Sequence, residues 1–85
     1  MTGLVEVLGM EDNVIVDATG LVCPMPLLKA KRALNAMEVG QTLLILATDH
    51  TSHQDFVTFS EQSGHQLISS IVIDGVYNHL LRKIK

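Results

Sequence analysis

The hydrophobic period of the chain changes sharply to helical at Pro24, and that change limits the folds open to it. Before it, Val14, Ile15 and Val16 form a β-branched run that predicts a strand over 13–17. After it, Leu27, Ala30, Leu34 and Met37 recur at helical spacing, while Lys29, Arg32 and Asn35 fall outside the stripe. Gly40 marks the end of this helix. Residues 42–48, Thr-Leu-Leu-Ile-Leu-Ala-Thr, then read as a strand apolar on both faces, as an interior position requires. The same pattern fits a sheet face covered by a partner or a second copy. A strand, a helix and a second strand in that order form a unit whose two strands run parallel.

The second half repeats the alternation once and closes with a hairpin. A helix is expected from about Ser52, with Asp55 three residues on as an approximate capping box and with Phe56 and Phe59 inward. Gly64 supplies its left-handed end. Segments 67–73 and 76–84 flank Asp74-Gly75, a two-residue hairpin turn that pairs Ile73 with Val76 and Ile71 with Asn78. That register puts Leu67, Leu80 and Ile84 on one face and Ile68, Val72, Tyr77 and Leu81 on the other. Both are apolar, so the pattern does not choose the inward face. The predicted architecture is an α/β two-layer sandwich of order β-α-β-α-β-β, a four-stranded mixed sheet with two helices on one face. Residues 13–85 form its single domain, and 1–12 an N-terminal arm or extra strand.

Composition supports one small core and excludes several functions. The 85 residues are 47% hydrophobic and only 4% aromatic, so an aliphatic core is available and intrinsic disorder is excluded. No apolar run reaches the roughly 20 residues that cross a bilayer, and 1–12 lacks the basic start of a secretory signal. Cys23 is the one cysteine, which rules out a disulfide scaffold and points to the reducing cytoplasm. The net charge of −3 and the scarcity of aromatics speak against direct nucleic-acid binding. All six basic residues lie in two clusters, Lys29, Lys31 and Arg32, then Arg82, Lys83 and Lys85. These clusters suit an acidic protein partner, or are simply solvated faces.

The one concentrated chemical signal is Asp17-Ala18-Thr19-Gly20-Leu21-Val22-Cys23-Pro24-Met25-Pro26, in the connection between the first strand and the first helix. Pro24 suits a first helical position, which makes Cys23 the N-cap, near the positive end of the helix dipole. With Pro26 also lacking an N–H, Met25 is the main amide left to face the sulfur. The expectation is a rigidly presented thiol, mildly favoured as thiolate; the bland alternative is a small buried hydrophobe. Dithiol redox chemistry needs a second cysteine, and papain-like catalysis needs a cleft that so small a domain hardly has room for. His50 and His53, with Asp49 and Asp55 nearby, are the one short-spaced histidine pair, and solvated side chains are expected there, with no metal. What remains is a thiol that receives a group from one protein and hands it to another.

At these residues the chain resembles the TusA family, also called SirA-like, of small sulfur-carrier proteins. The Cys-Pro-Met-Pro stretch with Asp17-Ala18 and Gly20-Leu21 ahead of it carries the resemblance. Gly40, Thr48-Asp49, Gly64-His65, Asp74-Gly75 and Arg82-Lys83 support it. The resemblance implies a fold like the C-terminal domain of translation initiation factor three. It implies that Cys23 accepts sulfur as a persulfide from a cysteine desulfurase or another donor protein. The sulfur then passes to an acceptor protein, in a relay that serves tRNA thiolation, cofactor synthesis or sulfur metabolism. No cofactor is called for, and the chain reads as a sulfurtransferase-type carrier more than a stand-alone enzyme. Asp17, Gly20, Pro24, Met25 and Pro26 would shape the site; Lys29, Lys31, Arg32, Arg82 and Lys83 would dock partners. His50 and Asp55-Phe56-Val57 depart from the prolines that members feeding tRNA thiolation carry at those places, so the pathway stays open. A redox-regulatory thiol and a binding module with an incidental cysteine are the competing readings.

Overall fold

A computed structural model describes residues 13–85, and the arm or extra strand expected over 1–12 lies outside the described residues. The elements are β1 (Asn13–Ala18), α1 (Met25–Ala36), β2 (Thr42–Ala47), α2 (Ser52–Ser63), β3 (Gln66–Ile73) and β4 (Val76–Arg82). They form one four-stranded sheet in the order β1-β2-β4-β3. β1 and β2 run parallel, and β4 is antiparallel to both β2 and β3. The mixed sheet and element order are those the sequence predicts.

Strand register shows why the sheet has an inside. Two rows of paired residues, Val14–Leu43–Leu81–Leu67 and Val16–Ile45–His79–Ser70, point to the helices. Leu43, Ile45 and Leu81 in those rows are fully buried against Ala30 and Leu34 of α1 and Phe56 of α2. Residues 42, 44 and 46 of β2 face the other way and are only half-buried, so the interior strand has one sealed face. Each fully buried Leu, Ile or Phe contributes about 1.5–3 kcal/mol, the scale on which a domain this small depends.

The hairpin turn holds as expected. Asp74 and Gly75 both have positive φ, 50° and 79°, as a two-residue turn of this kind requires, and Ile73 pairs with Val76. A register shift between Leu67 and Ser69 then departs from the simple pairing. The extra residue, Ile68, swings Leu67 onto the face of Leu81, so Leu67 joins the core and not the face of Leu80. α1 ends at Ala36, with Met37 as its C-cap, so Gly40 (φ 97°) turns the chain after the helix and does not end it.

His79 is the polar exception in the core. It is fully buried between the hydroxyls of Ser52, 2.9 Å from Nε2, and Ser70, 2.8 Å from Nδ1, with the Phe56 ring at 4.8 Å. Burial first, and then the charge of His53, pushes its ionisation down to about 4 from the usual 6.5. The unfolded chain therefore takes up a proton through a pH range in which the folded chain does not. Stability is fully present above pH 6.5 and falls as the pH drops toward 4, by up to about 1.4 kcal/mol per unit. His65, lowered by burial and then by the charges of Lys83 and Lys85, adds in the same direction. Urea unfolding across this range checks the sign: His79→Gln is expected to lose most of the acid-side slope. An unchanged slope in that variant would remove His79 as its source.

Candidate functional site

Because β1 and β2 are parallel and end together at Ala18 and Ala47, the loops that follow them meet at one edge of the sheet. This is where open α/β sheets present ligands and reactive groups. The first loop is shaped by Asp17, whose Oδ1 accepts the Thr19 N–H at 2.9 Å and the Thr19 hydroxyl at 2.6 Å. Those bonds hold the Asp17 carboxyl below its usual range. Gly20 follows with φ 80°, a conformation that strains any residue with a side chain, and its N–H donates to Thr48 Oγ1 at 2.8 Å.

Three residues later the Cys23 N–H donates to Asp49 Oδ2 at 2.6 Å. The other oxygen of the same carboxylate accepts the Thr51 N–H at 3.0 Å and the Thr51 hydroxyl at 2.9 Å. Asp49 thus bridges the two loops, and the amides it accepts from Thr51 and Cys23 lower its own ionisation.

The start of α1 differs from the sequence expectation by one residue. Pro24, not Cys23, is the N-cap, with Pro26 inside the first turn, and the Cys23–Pro24 peptide bond is cis. The Met25 N–H closes a turn onto the Val22 carbonyl at 2.9 Å, so it is not left over to face the sulfur. Cys23 is exposed, as are Val22 at 69% and Met25 at 42%, which gives the thiol an apolar surround. Pro26 is buried and anchors the turn.

The electrostatics also reverse the expected sign. A hydrogen bond to the Asp55 carboxylate, then partial desolvation, then the charges of Asp55 and Asp49 push the Cys23 thiol up. The helix dipole is outweighed because both of its nearest proline positions lack donors while the charges of Asp55 and Asp49 act on the thiol. The capping box expected at α2 is absent for a related reason. Thr51 is the N-cap with no side-chain cap, and Ser52 turns inward to His79. Sequence reasoning therefore missed Asp49 and Asp55 as site residues. Their only local signal was the Thr48-Asp49 pair after β2 and an acidic first turn of α2.

The basic residues are not gathered into one patch. Lys29 lies toward Asp17, Lys31 stands 5.7 Å over the Phe59 ring, and Arg32 and Arg82 are exposed. Lys83 is already engaged: its Nζ donates to the carbonyls of Leu34 at 2.6 Å and Met37 at 2.7 Å, closing the C-terminus of α1. Among the described residues no three His, Cys, Asp or Glu side chains converge on a metal position. His50 and His53 instead line an open cavity of about 320 Å³ with Ser70, Val72 and Tyr77.

The family model described as Sulfurtransferase TusA matches residues 14–83. The sulfur carrier protein TusA of Allochromatium vinosum is 46% identical over 67 residues, covering 79% of this chain and 88% of that protein. A crystal structure of a SirA-like protein from Desulfitobacterium hafniense superposes with a TM-score of 0.75 at 30% identity, covering 85% of this chain and 99% of that one.

Three outcomes follow from this geometry. The rate of Cys23 alkylation by iodoacetamide, followed against pH, should have its midpoint above the ordinary thiol value of about 8.5; a midpoint below it contradicts the carboxylate environment. Lys83→Met should lower unfolding stability by about 1–3 kcal/mol, because it leaves two helix carbonyls without their charged donor. Arg32→Met, on an exposed helix face, should change stability by less than about 0.5 kcal/mol.

Proposed function

The chain belongs to the TusA family of sulfur carrier proteins, and from that premise we propose that Cys23 is the residue that carries the sulfur, as a persulfide. The supporting observation is its position: an exposed thiol, alone of its kind in the chain, on a loop tied down at Gly20, Cys23 and Met25. A persulfide needs a site of this kind. It must be reachable by two successive proteins, and it must have no second cysteine nearby to discharge it as an internal disulfide.

In the loading step the Cys23 thiolate attacks the outer sulfur of a persulfide on a donor protein of the cysteine desulfurase type. A bond forms between Sγ and the transferred sulfur, the donor's S–S bond breaks, and the donor cysteine leaves as a thiolate. The Cys23 proton goes to solvent. Unloading repeats the exchange with an acceptor protein, and because sulfur keeps its oxidation level throughout, no cofactor takes part. Val22, Pro24 and Met25 provide an apolar contact around the thiol for both partners, and Lys29, Lys31, Arg32 and Arg82 are the residues we assign to acidic partner surfaces. Asp17 and Gly20 act by holding the loop. The relay would run in a reducing compartment, the cytoplasm, and its product is a thiolated tRNA, a sulfur-containing cofactor or a sulfur metabolite.

The test is intact-protein mass spectrometry after incubation with a cysteine desulfurase and cysteine. A gain of about 32 Da, one sulfur atom, mapping to Cys23 and lost on reduction is expected. Cys23→Ala should fold normally and gain nothing. Glutathione adducts on Cys23 without sulfur loading across several active desulfurases would point to a redox-regulatory thiol instead.

A further inference from the structure

The two edges of the sheet are unlike. β1 is six residues long, carries the exposed charge of Asp17 and runs into the Cys23 loop. β3 is eight residues long, and Gln66–Ile73 contains no charged residue and no proline. Native proteins commonly blunt an edge with a lysine, a proline or a bulge, because its unpaired backbone groups template another strand. β3 has one such device, the bulge at Ile68, and it lies toward the start of the strand. Beyond it Ile71, Val72 and Ile73 are each more than half exposed, and among the described residues no strand pairs with their outer side.

The hairpin fixes which backbone groups face outward. In a two-residue hairpin the residues flanking the turn, here Ile73 and Val76, exchange both backbone bonds. The alternation of an antiparallel ladder then directs Ser69, Ile71 and Ile73 toward β4. It leaves the N–H and C=O of Ser70 and Val72 at the free edge, where a further strand can engage all of them at once. β3 of a second copy does so. Run antiparallel about a two-fold axis at Ile71, it sets its Ser70 opposite Val72 and its Val72 opposite Ser70, so each of these groups finds a partner. Ile71 then meets its own copy on the open sheet face, and Asp74 falls opposite Ile68, not opposite a charge. Moving the axis to Ser70 or Val72 sets an outward group against the bulge or the turn.

We propose that the chain forms a two-fold dimer through β3, joining two sheets edge to edge with Ile71 on the axis. A second copy fits because the segment is self-complementary about that axis and brings no like charges together. β1 lies at the far edge of each sheet, so both Cys23 loops stay open to other proteins. A contact along one strand edge is smaller than the roughly 800 Å² per partner of a standard interface, so the dimer is reversible, with a Kd on the order of 10–100 µM.

Sedimentation equilibrium of the full chain between about 5 µM and 1 mM tests the pairing. The weight-average mass should climb from the monomer's 9.3 kDa toward twice that value. Ile71→Lys, which opposes like charges on the axis while altering an exposed side chain, should weaken association at least about tenfold. Val72→Pro removes half of the outward N–H donors without breaking a bond to β4, and should act in the same direction. Circular dichroism and urea midpoints near those of wild type identify the folded variants. Register is read by cross-linking with diamide in a Cys23→Ala background. Ile71→Cys places two thiols on directly opposed residues, about 4.5 Å apart at Cα and within disulfide range. It should give covalent dimer at least about tenfold faster than Ile73→Cys, which faces Ser69 of the second copy. A wild type that stays at monomer mass throughout overturns the inference and leaves the edge to a strand of another protein. Association that folded Ile71→Lys keeps at wild-type strength, or equal cross-linking at both positions, overturns it as well.

Discussion

The site depends on one carboxylate. Asp49 is separated from Cys23 by 26 positions in sequence, yet it accepts the Cys23 N–H through one oxygen and the Thr51 N–H through the other. That bridge fastens the loop leaving β1 to the loop leaving β2, and it is available only because the two strands are parallel and end at the same level. The parallel pair in turn requires α1 as its crossover, and α1 is closed at its far end by Lys83 from the end of β4. The exposed thiol is therefore fixed by contacts that reach from the first strand to the last residues of the chain. A charge-assisted hydrogen bond of this length is among the stronger polar contacts a surface loop can have.

A cysteine at the start of a helix is usually expected to be acidic, and here the opposite holds. The argument from the dipole counts free amides near the sulfur. At α1 one of those amides is missing because Pro26 has none, and another, at Met25, is bound to the Val22 carbonyl. The field that remains is weak beside two carboxylates, Asp55, which pushes the thiol up, and Asp49, bonded to the Cys23 backbone N–H. Cysteine position along a helix says little until the donors have been counted and the facing loop is known.

This contrast also marks what the sequence can reveal. Element order, the parallel β1–β2 pair, the Asp74-Gly75 turn and the inward stripe of α1 all follow from period and turn chemistry, which are local. The loop at Asp17 and Gly20 is also made by local chemistry, an Asx turn and a positive φ. The features that escaped are those made between distant segments. Asp49 and Asp55 look like ordinary loop and helix-start residues until the fold brings them to Cys23. Lys83 looks like one of a basic cluster until its 49-residue reach to Leu34 is seen. The shift at Ile68, which settles the inward face of β3, has no signature in a strand apolar on both sides.

The start of α2 joins the core to the site and explains why neither local rule applied there. Ser52 would ordinarily serve the helix's own first turn, but it bonds to buried His79, and no side chain caps the helix. The cost of losing a capping box, about 1 kcal/mol, is offset upstream, where Asp49 accepts the Thr51 N–H and the Asp49 carbonyl accepts the Ser52 N–H. Asp49 thus substitutes for the residues that α2 has given to other tasks. The same first turn holds Ser52 on a histidine that resists protonation and carries Asp55, whose charge raises the Cys23 thiol. The position of that carboxylate is therefore set by core packing around Phe56 and His79, not by the surface loop it adjoins.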